Sequence, residues 1–141
     1  SYPFRPSDQG FETSLIHHAG GIGQPGDPEN YSNWNNCYFN PNLYLNNKLT
    51  ATKGYCSDVF TNATLDFIDQ NDKQPFFTYL SFNAPHDPLQ VPDEWYEKYK
   101  TLDFDEGITN HAHQKVSLTE IEKEEARKVY GMVSNLDYNI G

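Results

Sequence analysis

Apolar and aromatic residues run almost unbroken from Phe76 to Phe82, and Pro75 and Pro85 bracket the run. A stretch so short is too brief for a buried helix and predicts a strand covered on both faces, as in a parallel sheet under helices. Upstream, Val59, Phe60, Ala63 and Phe67, with Leu65 beside them, recur at helical spacing. Ser57 or Asp58 is placed to cap that helix, which should end near Gln70. The order helix then strand predicts an α/β fold, mainly a parallel sheet with helices packed on it. Before it, Leu43–Leu45 and Leu49–Ala51 flank Asn46-Asn47 and predict a small hairpin. Gln24 to Pro41 is polar and rich in turn formers, so it reads as a long loop pinned to the body by Tyr31, Trp34, Tyr38 and Phe39. Downstream, Pro92 suits the first turn of a short helix over Asp93–Lys100. Ser117 with Glu120, and Thr119 with Glu122, are capping boxes at the start of a last helix. Its predicted core stripe is Ile121, Val129, Val133, Leu136 and Ile140.

The candidate chemistry follows from where the apolar run stops. Asn83-Ala84-Pro85-His86-Asp87-Pro88 sets a polar cluster at its carboxyl end, the edge at which open α/β sheets bind ligands. Two prolines restrict the backbone around His86, so its imidazole is the first candidate site residue. His17 and His18 precede Gly20, Gly21 and Gly23, which permit close approach of backbone to a ligand or another segment. The order of these glycines is not that of a nucleotide fingerprint. His111 and His113 could form a metal pair on one side of a strand, but no third ligand accompanies them, and a solvated loop is the preferred reading.

Composition narrows the classes further. Twenty acids against ten Lys and Arg give a net charge of −10, the opposite of a nucleic-acid footprint. No apolar run approaches the roughly 18 residues of a membrane helix, and the N-terminus lacks the pattern of a signal peptide. The expectation is therefore no nucleic acid and no membrane. Cys37 and Cys56 have no zinc spacing; a disulfide and two half-buried thiols both remain open. Asn30-Tyr31-Ser32 and Asn62-Ala63-Thr64 match the glycosylation sequon, a pattern short enough to occur by chance.

Several stretches resemble the middle of arylsulfatase-type sulfatases of the alkaline-phosphatase-like superfamily. They are Gly54-Tyr55-Cys56-Ser57-Asp58-Val59-Phe60, the run from Pro75 to Leu89 with Ala84-Pro85-His86 in it, and Val91-Pro92. Phe4 to Glu12 is similar to the segment after the family's Gly-Lys-Trp-His-Leu-Gly motif. His17 to Gln24 is similar to a His-and-glycine segment of bacterial members, and Val133 to Gly141 to the helix before a metal-binding strand. The resemblance covers nearly the whole chain, and the Ala84-Pro85-His86 stretch is its most specific part. It implies a sulfuric ester hydrolase with calcium and a formylglycine nucleophile. It places His86 in the catalytic, sulfate-binding ring, and His17 and His18 at the substrate pocket. It implies a sulfated small molecule or sulfated glycan as partner, and a periplasmic or secreted location in a bacterium.

The family's Cys/Ser-x-Pro-x-Arg motif, its N-terminal Asp-Asp pair and its later Asp-Asn or Asp-His pair have no counterpart here. Calcium and formylglycine are thus expected outside this chain, which reads as an internal fragment of one catalytic domain. Residues 1–53 form its loop and hairpin region, and 54–141 its helix–strand–helix core region. Such a fragment is expected to be inactive and to self-associate through exposed core surface. Three alternatives stand beside this reading. One is a phosphatase or phosphodiesterase of the same superfamily. A second is a non-catalytic glycan-binding module using Tyr31, Trp34 and Tyr38, and a third is an interaction domain with no ligand.

Overall fold

The computed structural model describes residues 3–18, 20–104 and 117–141, and the chain divides into two compact units, Ser1–Asn83 and Ala84–Gly141. The first contains a three-stranded antiparallel sheet in the order β1 (Leu15–Ile16), β2 (Asn42–Leu45), β3 (Lys48–Ala51). Asn46 and Asn47 turn β2 into β3 with φ of 48° and 66°, the left-handed pair that a two-residue hairpin requires and that Asn tolerates well. Asn46 also joins β1 to the sheet. Its main-chain N–H donates to the Ser14 carbonyl, and its side-chain oxygen accepts from the Ser14 N–H, each at 2.9 Å. The predicted hairpin is present, each strand starting one residue earlier than expected.

The loop between β1 and β2, which includes the single-turn helix α1 (Pro28–Tyr31), supplies much of the core of this unit. Ile22, Cys37, Tyr38 and Leu43 are buried with Tyr55, Cys56 and Phe60 at the start of α2 (Cys56–Asn71). Polar groups organise it where apolar ones are sparse. Buried Asp27 accepts on Oδ2 from the Gly23 N–H and from Asn30 Nδ2, both at 2.9 Å. Asn30 exchanges two bonds with the main chain of Asn42, donating to its carbonyl at 2.9 Å and accepting from its N–H at 2.8 Å. A side-chain amide thus stands in for a neighbouring strand, satisfying both polar groups of the Asn42 backbone. With its Nδ2 buried and bonded twice, Asn30 offers no glycan acceptor in this fold, whereas Asn62 is exposed on α2.

Two expectations about helices need correction. Leu65 is not on the buried stripe of α2 but is exposed, and Phe60 is the stripe's buried aromatic. The buried face of α4 (Glu120–Ile140) is Lys123, Gly131, Met132 and Asn135, whereas Ile121, Val133 and Ile140 of the predicted stripe are exposed. The reason is local: α3 (Asp93–Tyr96, shorter than predicted) lies against α4 where Gly131 removes the side chain. The indole of buried Trp95 packs on Tyr138 beside it.

The aromatic run departs most from expectation. Residues 75–83 join no ladder among the described residues, and the only sheet described is antiparallel, so a mainly parallel sheet is not what these residues form. The run does keep the two-residue period of a strand: Thr78, Leu80 and Phe82 are half-buried while Phe77, Tyr79 and Ser81 are exposed. Phe76 meets Phe67 of α2 edge-on at 5.8 Å and Phe77 meets Phe11 at 6.1 Å, so one side is covered. A central strand needs hydrogen-bonding neighbours on both edges, and no described residue supplies them. No helix among the described residues is long and apolar enough to cross a membrane. The expected loop with His111 and His113 lies outside the described residues.

Two predictions follow from α4. A Cβ at Gly131 would stand 2.9 Å from Val91 Cγ2 and 3.3 Å from the Trp95 backbone. Gly131→Ala gains up to about 1 kcal/mol of helix propensity, but forcing α3 aside costs about 1–3 kcal/mol. The variant should therefore have a lower midpoint in urea than the parent. At the other end, the Thr119 N–H and hydroxyl both bond Glu122 Oε2 at 2.7 Å, holding the Glu122 carboxyl below its usual range. A depressed carboxyl adds stability above its unfolded pKa and loses it as pH falls through the folded one. Acid should therefore unwind the first turn, and Glu122→Gln should flatten that dependence in a circular-dichroism titration.

Candidate functional site

The three candidate histidines divide between the units, His17 and His18 in the first and His86 in the second. His86 is exposed, as is Pro85 before it, while Ala84 is buried. Its Nδ1 lies 2.9 Å from the Asp87 carbonyl. A carbonyl only accepts, so Nδ1 carries the hydrogen in this bond. His17 repeats the arrangement, its Nδ1–H donating to the His18 carbonyl at 2.9 Å. In both cases a main-chain oxygen one residue ahead fixes ring and tautomer.

His18 is used differently. Its ring stacks on Tyr44 of β2 at 3.9 Å and 17°. The Tyr44 hydroxyl donates to Glu29 Oε1 at 2.8 Å, and that bond holds the phenol's pKa above its usual value. Adjacent in sequence, the two imidazoles have separate surroundings: His18 closes against the sheet, while His17 lines a recess of about 1160 Å³ with Phe11, Phe60, Phe67, Phe77 and Asn83. Aromatic side chains form one part of the wall of the recess, and His17 and Asn83 are among its polar groups.

The glycan platform imagined from Tyr31, Trp34 and Tyr38 does not form. Tyr31 and Trp34 are exposed, but Tyr38 is fully buried, its hydroxyl accepting from Asn83 Nδ2 at 2.7 Å. Tyr38 does what the loop aromatics were expected to do and pins the loop to the body. The sequence reading missed Asn83, although it stands in the same cluster as His86. An amide next to the strand end, three residues before a candidate histidine, was the available signal.

Calcium takes six to eight oxygen ligands. No group of three or more His, Cys, Asp or Glu that could hold a metal occurs among the described residues. The described residues do not fit that ion. Cys37 and Cys56 are buried thiols rather than halves of a disulfide. Burial pushes the Cys56 thiol up to about 12, which leaves little thiolate at neutral pH.

The sequence matches the sulfatase family over residues 4–141, and the chain belongs to that family. It is 30% identical over 103 residues to the sulfatase YdeN of Escherichia coli (strain K12), covering 70% of this chain and 16% of that protein. It is 36% identical over 64 residues to an arylsulfatase of Klebsiella aerogenes, covering 45% of this chain and 14% of that one. Among solved structures it is similar to Ps i-CgsB in complex with k-i-k-neocarrahexaose, with a TM-score of 0.66 and 24% identity over 100% of this chain and 29% of that one. At that identity the likeness bears on the fold alone, and it is a likeness to part of that structure. The chain thus spans about a sixth of the length of the curated relatives it matches.

The buried thiols give a direct check. Native chain treated with iodoacetamide near pH 8 should stay unmodified at Cys37 and Cys56 over hours and take up two adducts on unfolding, read by intact mass. Rapid labelling of folded protein would show that the thiols reach solvent.

Proposed function

We propose that the protein to which this chain belongs hydrolyses sulfate esters, and that His86 is the chain's catalytic contribution. The supporting observation is family membership together with the His86 loop, in which the Asp87 carbonyl holds Nδ1–H. When S–O cleavage begins, charge builds on the sulfuryl oxygens and the departing ester oxygen. A protonated Nε2 supplies a donor and a positive charge there, in a ring orientation fixed beforehand. In this reading the formylglycine nucleophile and the calcium ion that the family resemblance implies would both come from outside the described residues, and His86 is what this chain adds to them. His17 contacts the organic part of the ester, and the aromatic walls of its recess suit the apolar face of a sugar or aryl group. A sulfated glycan is the substrate class best supported, since a structure similar in fold binds k-i-k-neocarrahexaose.

The phosphatase and phosphodiesterase alternative is the weaker reading, because the match is to the sulfatase family along nearly the whole chain.

In the complete enzyme, His86→Ala should lower kcat by about 10²–10³ while changing KM less. The activity of the parent should decline as rising pH removes the Nε2 proton, and that limb should be absent from the variant. Steady-state kinetics on two sulfate esters with different leaving groups measures both. Unchanged kcat on both esters would return His86 to a structural part in its loop.

A further inference from the structure

Asn83 closes the first unit at a point where three segments meet. Its Nδ2 donates to the hydroxyl of Tyr38 at 2.7 Å, and Tyr38 is fully buried in the loop before β2. The same nitrogen faces Gly21 of the turn that follows His17 and His18. A Cβ built on Gly21 would stand 3.4 Å from Asn83 Nδ2 and 3.1 Å from the Gln24 side chain. Gly21 is buried, so that face of the turn is closed by two side-chain amides, that of Gln24 from within the turn and that of Asn83 from outside it, the latter held by the phenol of buried Tyr38. Asn83 and His17 line the same recess.

We infer that Asn83, locked by Tyr38 against the backbone of Gly21, is a positioning residue for His17 and so a determinant of which organic group the enzyme accepts. The inference rests on the proposed role of His17 toward the ester. The physical argument is one of stiffness. A glycine-rich turn has wide backbone freedom, and an imidazole four residues before Gly21 would share that freedom. An amide standing over Gly21 narrows that freedom, because it cannot yield without breaking its bond to Tyr38. Two routes therefore fix His17: its Nδ1–H on the His18 carbonyl sets the ring, and Asn83 sets the turn.

The test uses variants that delete the bond and one that restores it. Tyr38→Phe removes the acceptor and keeps the ring in the core. Asn83→Leu removes the donor at similar volume. In Asn83→Asp the Tyr38 hydroxyl can donate to the new carboxylate, which restores the link. The first readout is ¹⁵N and ¹H NMR of this chain, following the His17 ring nitrogens and the Gly21 amide. Both signals should shift or broaden in Tyr38→Phe and Asn83→Leu, and return toward the parent in Asn83→Asp. Lower stability with both signals unmoved would mean a purely structural bond and would overturn the inference whatever the activity. The second readout is kinetics of the complete enzyme on two sulfate esters. One lost hydrogen bond should raise KM about 2- to 10-fold, by different factors for the two leaving groups, with the pH limb assigned to His86 unchanged. Equal KM for parent and Tyr38→Phe on both esters would also overturn it. If the NMR signals respond as expected but the parent turns over no sulfate ester, the positioning role stands and the sulfatase reading fails.

Discussion

The first unit depends on the burial of Tyr38. Its phenol accepts from Asn83, its carbonyl accepts from the Cys56 N–H at 2.8 Å, and its ring meets Tyr55 edge-on at 6.2 Å. These three contacts bind the long polar loop to the start of α2 and to the end of the aromatic run. The second contact satisfies an N–H at the amino end of α2, where no side-chain cap bonds, a place at which orphan donors need outside partners. A loop of this length loses much conformational entropy on ordering. It is held by one large aromatic that buries apolar area while placing a polar tip on a partner, and by the Asp27–Asn30–Asn42 bonds that replace a missing strand.

The aromatic run shows how a local pattern and its surroundings answer different questions. Its alternation between half-buried and exposed positions is the period of a strand, and that is a property of Phe76 to Phe82 themselves. Its pairing is a property of whatever lies alongside, which no described residue provides. Phe77 and Tyr79 are 73% and 74% exposed, although the residue types are those of a strand covered on both faces. The matched solved structure is more than three times the length of this chain.

What could be read from the sequence followed from short-range chemistry. Asn46-Asn47 gave the hairpin because few residues accept two consecutive left-handed conformations. Thr119 and Glu122 gave the start of α4 because a capping box needs only four neighbouring residues. The buried face of α4 was not legible in the same way, since it is chosen by the helix that packs on it. Gly131 is buried because Trp95 and Val91 come close, and a stripe drawn through Ile121, Val133 and Ile140 contains no information about them. At the candidate site, His17, His18 and His86 drew attention through residue type and flanking Gly and Pro. The stacking of His18 on Tyr44 and the bond from Asn83 to Tyr38 connect positions 26 and 45 residues apart, where the sequence has no periodicity to reveal them.

The charge distribution bears on how an acidic chain could serve an anionic ester. Arg5 faces Asp8, Lys100 faces Glu97, Lys123 faces Glu120, and Arg127 and Lys128 both face Glu124, all within 4.0 Å. Lys98 lies over the Trp95 ring at 3.7 Å. The strong cations are thus largely committed to neighbours on their own segments, and exposed pairs of this kind contribute little at a distance in physiological salt. In the proposed reading a sulfate ester would meet imidazoles instead. His17 and His86, each within its own unit, spend Nδ1–H on a backbone carbonyl one residue ahead, so each ring is held in orientation by its own main chain and not by a distant charge. The chain's net charge of −10 does not forbid an anionic ester, because a local donor can outweigh a distant acidic surface.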